Sequence, residues 1–290
     1  MKKEHLTKSF FALICIIGFC LVQSQRGGCS SKHHNQEVFT TENTEDTDLN
    51  KHHNTSTKRQ ASATIVTPLT AAPIDGEVVL KREGYTVSYN PTTLQPNYVC
   101  WALNAYRLDG DAKRTSFSED PDLSDNVQSR LDDYKYSGFS RGHMCPAADN
   151  KWSQEAMDQS FLLSNICPQT QTLNGGDWED LESACRRWAA NEGVTLYIAC
   201  GPIFEGTKHR KLHKRVVVPE KFFKTVMCLD KGRERGIAFV YSNNTESHPM
   251  NYYVCTIDSV EQLTGYDLYH TVSKSTQDKL EATANLHDWQ

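Results

Sequence analysis

Residues 138–143, GFSRGH, crowd three reactive side chains into six positions. Gly138 to Gly142 fit G-x-S-x-G, in which Ser140 would be a nucleophile on a sharp strand-to-helix turn. Arg141 and His143 support a different chemistry. An imidazole that takes a proton from water, beside a cation that neutralises developing charge, suits hydrolysis of a phosphodiester. The flanks discriminate between the two. RLDDYKYSGF before Ser140 is too polar for a central parallel strand. HMCPAADN after it carries Pro146 and small polar residues and reads as loop. No HGGG-type oxyanion loop precedes the motif, so the serine reading lacks its required context.

Phosphodiester hydrolysis also calls for a divalent metal, and hence for a ligand elsewhere in the chain. No C-x-x-C and no H-E-x-x-H occur, which argues against zinc. Residues 164–182, SNICPQTQTLNGGDWEDLE, offer candidates. Asn174 sits in a Gly-rich turn ahead of a helical pattern, and Glu182 lies inside that pattern. With Trp178 at zero and ~100° per residue, the apolar positions centre near about −30° and Glu182 lies near about +40°. Glu182 therefore edges the apolar stripe, whereas Glu179 and Asp180 face out. Singly, a loop histidine, a turn asparagine and a surface arginine are unremarkable readings of these residues. Their joint spacing is what argues for a site.

The elements that must position these residues are mixed. Segments 78–90, 98–108, 194–204, 215–219, 222–229, 236–243 and 252–257 have the β-branched and aromatic content of strands. WEDLESACRRWAA (178–190) is the clearest helix, with Trp178, Leu181, Cys185, Trp188 and Ala189 at helical spacing. Asp177 is its expected N-cap, and Asn191-Glu192-Gly193 its stop. SVEQLTGYDLY (259–269) begins as a short helix. The order is no regular βαβ alternation, so the fold class is α+β with an antiparallel or mixed sheet flanked by helices.

The chain has 290 residues and a net charge of −5, which excludes a protein that coats nucleic acid by overall positive charge. Lys2, Lys3 and Lys8 precede the apolar run FFALICIIGFCLV (10–22), the pattern of an export signal and too short for a comfortable membrane span. Cleavage after Ser24 or lipidation at Cys29 would end this leader, and an uncleaved anchor is the alternative. We divide the chain into a leader (1–28), a polar flexible linker (29–75) and one folded domain (76–290). The linker is too poor in apolar residues to offset its ordering entropy. Export would permit disulfides, but the pairing of Cys100, Cys145, Cys167, Cys185, Cys200, Cys228 and Cys255 cannot be read from spacing. The run KHRKLHKR (208–215) reads as a solvated loop with a phosphate role open.

Taken together, Arg141-Gly142-His143, Ser164-Asn165, Pro168-Gln169, Leu173-Asn174, Gly176, Trp178 and Leu181-Glu182 resemble the DNA/RNA non-specific endonucleases of the ββα-metal class, which include mitochondrial endonuclease G. ACGPIF (199–204), VVVPEKFFK (216–224) and SVEQLTGYDLY extend the resemblance over nearly all of 76–290. It implies a ββα-metal nuclease fold and cleavage of both DNA and RNA. It makes His143 the general base, Asn174 the single direct protein ligand of Mg2+, and Glu182 the residue that positions water on the metal. Arg141 matches a phosphate-contacting arginine, and Arg114 the nearest counterpart of a further family arginine. One neutral ligand is adequate, because Mg2+ keeps much of its water; Mn2+ could replace it. Ser140 stands where the family usually has Asp, which alters any hydrogen bond orienting the loop. An unperturbed imidazole titrates near ~6.5, so a His143 base predicts loss of cleavage below that pH. A catalytically silent nucleic-acid-binding protein on the same fold is the alternative, and a Ser140 hydrolase the third choice. A homodimer and a lipid anchor at Cys29 are compatible with the sequence.

Overall fold

The computed structural model describes residues 68–290; the leader, Cys29 and the stretch 29–67 lie outside the described residues. The strand segments rich in β-branched and aromatic residues build the centre of the molecule. Seven strands form one sheet in the order β1-β2-β3-β6-β9-β10-β11. They are Val78–Lys81 (β1), Thr86–Asn90 (β2), Gln95–Leu103 (β3), Leu196–Ile203 (β6), Lys221–Cys228 (β9), Arg235–Ser242 (β10) and Val254–Cys255 (β11). Every neighbouring pair is antiparallel. Two small sheets stand apart from it. Ser140–His143 (β4) pairs with Ile166–Gln169 (β5), and Lys211–Leu212 (β7) with Val216–Val217 (β8). The run 208–215 is therefore a short hairpin and its approach, with Leu212 buried and Lys208, Arg210, Lys211 and Lys214 exposed.

Because successive side chains point to opposite faces of a strand, the large sheet is apolar on both. In β3, Val99, Trp101 and Leu103 join one core, and Tyr98 and Cys100 the other. The short helices are Ala105–Leu108 (α1), Leu131–Tyr134 (α2), Gln154–Ser160 (α3) and Gln171–Asn174 (α4). The long helix Asp177–Glu192 (α5) covers the first face through Trp178, Leu181, Ala184, Cys185, Trp188 and Ala189. Ile257–Thr264 (α6) and Lys274–Leu280 (α7) cover the second through Ile257, Val260 and Leu280. Each buried leucine, isoleucine or valine among them stabilises the fold by roughly 1.5–3 kcal/mol.

Strands β4 and β5 followed by α5 make a ββα unit. The expected N-cap shifts by one residue: Gly176 caps α5 and Asp177 is its first residue. A side chain at Gly176 would press on the Thr172 carbonyl. The Asp177 carboxylate instead accepts hydrogen bonds from Ser247 Oγ at 2.6 Å, from the His248 N–H at 3.2 Å and from the Tyr253 hydroxyl. The helix stops as expected at Gly193, whose φ of 64° is left-handed.

Residues 68–75, which composition places in the linker, lie on the second core. Ala71 is buried, and the Ala72 N–H donates to the Asp267 carbonyl at 2.8 Å. Cys100, Cys145, Cys167, Cys185, Cys200, Cys228 and Cys255 are all free thiols.

Candidate active site

The RGH triplet is a strand, and its glycine is required by the neighbouring strand. Gly142 lies opposite Cys167, and any side chain on it would collide with the Gln169 side chain. The polar residues before Ser140 and the Pro146 turn after His143 disguise β4, which has only four residues. Ser140 is thus on a strand, not at a strand-to-helix turn, and its Oγ donates to Gln171 Oε1 at 2.6 Å. That bond ties β4 to α4, which ends at Asn174. No nucleophile elbow exists here.

His143 stands in an aromatic corner. Its ring lies 4.9 Å from Phe161 in an edge-on arrangement and 5.2 Å from Phe117. Its carbonyl accepts from Trp178 Nε1 at 3.3 Å, tying the strand to α5. Buried Asn165 fixes the chain just beyond: its Oδ1 accepts from the Cys145 N–H at 2.9 Å, and its Nδ2 donates to the Cys145 and Ser160 carbonyls at 2.9 and 2.8 Å. His143 Nε2 has no hydrogen-bond partner in the protein. Burial, and then the Arg114 cation, push the imidazole down to about 3. This environment lowers the imidazole from the 6.5 of an unperturbed histidine and favours its neutral form.

His143, Asn174, Glu182 and Arg114 all line one cavity of about 200 Å³, with Glu179, Arg186 and Gly175. Glu182 is only 13 % exposed. Burial pushes its carboxyl up to about 7, against the opposing influence of Lys224. The alternation of β9 puts Lys224 on the α5 side, between Phe222 and Val226. Its Nζ lies 3.8 Å from Glu182 Oε1 and 4.2 Å from the centre of the Trp178 ring. Arg186 donates to Asp149 Oδ1 at 3.1 Å and to Ser183 Oγ at 2.9 Å. Arg114 is exposed, with its guanidinium 5.0 Å from the centre of the Phe161 ring.

Arg141 does not line the cavity. It lies 5.4 Å from the centre of Phe117 and 5.9 Å from that of Tyr134, and donates to the Leu131 carbonyl at 3.4 Å. Sequence reasoning missed Glu179, Arg186 and Lys224. Arg186 was within reach, because it follows Glu182 by four residues and so shares its helical face. Glu179 is exposed as expected, yet it rims the cavity. Lys224 carried no signal, since a lysine inside an apolar strand normally marks an exposed edge. The oxygen atoms of Asn174, Glu179 and Glu182 are hard donors, which fit a magnesium-like ion and lack the thiolates of a structural zinc site.

A sequence model of the DNA/RNA non-specific endonuclease family matches residues 61–275. The chain belongs to that family. A nuclease of Nostoc sp. is 32% identical over 227 residues, covering 74% of this chain and 81% of the relative. Human mitochondrial endonuclease G is 32% identical over 199 residues, 63% of this chain and 67% of the relative. A solved EndoG/EndoGI complex superposes with a TM-score of 0.63 at 24% identity, covering 68% of this chain and 88% of that one, a likeness of fold. As a DNA/RNA non-specific endonuclease, the chain is a metal-dependent hydrolase of nucleic acids. The family match starts ahead of the expected domain boundary at 76. Among the described residues no helix is long and apolar enough to cross a membrane.

Proposed function

We propose that this endonuclease is exported, depends on Mg2+ and cuts DNA and RNA alike, with His143 as general base and Asn174 as the direct metal ligand. One observation carries the reading: four separated segments deliver Arg114, His143, Asn174 and Glu182 to a single polar cavity. His143 is held neutral there, and its buried Nε2 is free of protein partners. A neutral imidazole can take the proton from an attacking water. The approach of an anionic phosphate raises its proton affinity at the moment the proton must be held. Arg114 and Arg186 stand where they neutralise charge building on the phosphate oxygens. Arg141, outside the cavity, contributes to holding the flanking backbone. Glu182 orients water once it is ionised, and Lys224 behind it favours that ionised state. Magnesium, held by Asn174, would polarise the phosphoryl oxygen and stabilise the leaving oxygen. Attack by water rather than by a sugar 2′-hydroxyl makes the two nucleic acids equivalent substrates.

Digestion of a plasmid and of a transcribed RNA, with chelator and after Mg2+ is restored, tests this reading. Both are cut with Mg2+ and neither with chelator. Cleavage of RNA alone, or any cleavage under chelation, contradicts it. Export is carried by the leader pattern in residues 1–24. It predicts a mature chain beginning near Gln25 or lipid-modified at Cys29, read by mass spectrometry of protein from the native host. An intact Met1 on cytosolic protein contradicts it. A homodimer remains compatible and is read by light scattering.

A further inference from the structure

The face of the sheet opposite α5 carries a second group of carboxylates, remote from the nuclease cavity. Asp258 lies in the first turn of α6, and Glu261 follows one turn later on the same side. Glu281 closes α7, and its carbonyl accepts from the Asp258 N–H at 3.2 Å. One oxygen from each of the three side chains lies within 4.8 Å of the others. We infer that Asp258, Glu261 and Glu281 form a calcium site that fastens the C-terminal segment to the sheet.

A second observation separates this group from an ordinary acidic surface. Glu281 is 5% exposed, and its Oε1 has no hydrogen-bond partner. Among the described residues none of the three carboxylates is in an ion pair; Lys274, the nearby cation, is paired with Asp278. A buried carboxylate without a counter-charge must take up a proton or a cation. Asp258 and Glu261 crowd the same space with like charge, and a divalent ion neutralises the three carboxylates together.

The donor set favours calcium. All three donors are carboxylate oxygens from two separate elements, a set open to a flexible shell of six to eight oxygens rather than the near-ideal octahedron that magnesium demands. Glu261 Oε1 accepts from the Leu268 N–H at 2.7 Å, which fixes this side chain and leaves its other oxygen for the ion. Asp258 and Glu261 also line an open depression of about 430 Å³ with Tyr266 and Asp267. It admits the waters that complete a shell of six to eight oxygens. The ion would bridge α6 to the end of α7, and both pack on β9 and β10 through Ile257, Val260 and Leu280.

Thermal unfolding of chelator-stripped wild type and Glu281→Gln, with calcium titrated into each, tests the assignment. The nuclease cavity is the same in both, so any calcium it binds contributes equally. Without calcium the variant is at least as stable as the wild type, because its amide removes a buried carboxylate that has no counter-charge. At roughly 100 times Kd, calcium raises the wild-type midpoint by about 5–10 °C more than that of the variant. Equilibrium dialysis with calcium then counts one ion fewer per chain in the variant. Equal midpoint shifts with equal stoichiometry overturn the site. If Glu281→Gln does not fold, Asp258→Asn takes its place, and a wild type whose midpoint ignores calcium overturns the site without any variant.

Discussion

Strand β9 has two faces of opposite character. Towards α6 and α7 it presents Phe223, Thr225 and Met227, all buried, with the single hydroxyl satisfied by Tyr269 at 2.8 Å. Towards α5 it presents Phe222, Lys224 and Val226, with a cation that is 1% exposed and one carboxylate 3.8 Å away. The first face is an ordinary core. The second accepts a buried ion pair, which costs more desolvation than apolar packing would. The difference identifies where stability has been given up: Lys224 lies directly beneath the cavity that holds Glu182 and His143.

This contrast can be broken in a graded way. The largest effect is expected for His143→Ala, which removes the proposed base. Its cleavage rate falls by about 10²–10⁴-fold while the circular dichroism spectrum and melting midpoint stay near wild type; a folded variant that cuts at the wild-type rate refutes the base. Lys224→Met comes next and acts on both properties. It leaves Glu182 buried and unpaired, which lowers unfolding free energy by about 3–5 kcal/mol in urea titrations and reduces cleavage. Adding Glu182→Gln restores stability but not activity; two strictly additive losses of stability would deny the pairing. Phe223→Ala, one residue away on the other face, also lowers stability by about 3–5 kcal/mol. Below its melting temperature it leaves kcat unchanged, and a loss of kcat matching that of Lys224→Met would erase the distinction between the faces.

The smallest effect is one of pH. The carboxyl of Glu182 lies near 7 and the imidazole of His143 near 3. In the proposed mechanism activity needs the ionised carboxylate and the neutral imidazole. It should therefore rise with pH through about 7 on account of Glu182, with no inflection from His143 between pH 5 and 8. Glu182→Gln retains a small residual rate that is flat across this range. A limb near 6.5 that persists in Glu182→Gln would return the titration to His143.

The sequence made much of this arrangement legible. The stripe of α5 put Glu182 at the edge of the core, and that is where it lies, while the glycine pair after Asn174 marked the break between α4 and α5. The resemblance supplied the roles that spacing alone could not. Legibility failed where short range and long range disagree. Four residues, three polar and one glycine, make β4 because β5 pairs with them, not because of their own propensity. The shift of the cap from Asp177 to Gly176 goes with Ser247 and Tyr253, which meet the Asp177 side chain only in the folded chain. Lys224 is hidden for the same reason, since a cation is tolerated inside a strand only when a distant helix brings Glu182 and Trp178 to it. Arg141 is the converse case: its position within the triplet suggested the cavity, but its side chain settles against Phe117 and Tyr134.

The central claim is that a metal anchored by Asn174 and a base at His143 act in one cavity. Plasmid nicking by Asn174→Ala at saturating Mg2+, alongside gel-shift binding of the same DNA, tests it most directly. The variant is expected to keep its fold and bind DNA nearly as well as wild type, because cations and backbone groups supply most phosphate contacts, and yet to lose cleavage to the level of chelated wild type. Nicking by Asn174→Ala at the wild-type rate, or wild-type nicking undiminished by chelator, would contradict the account.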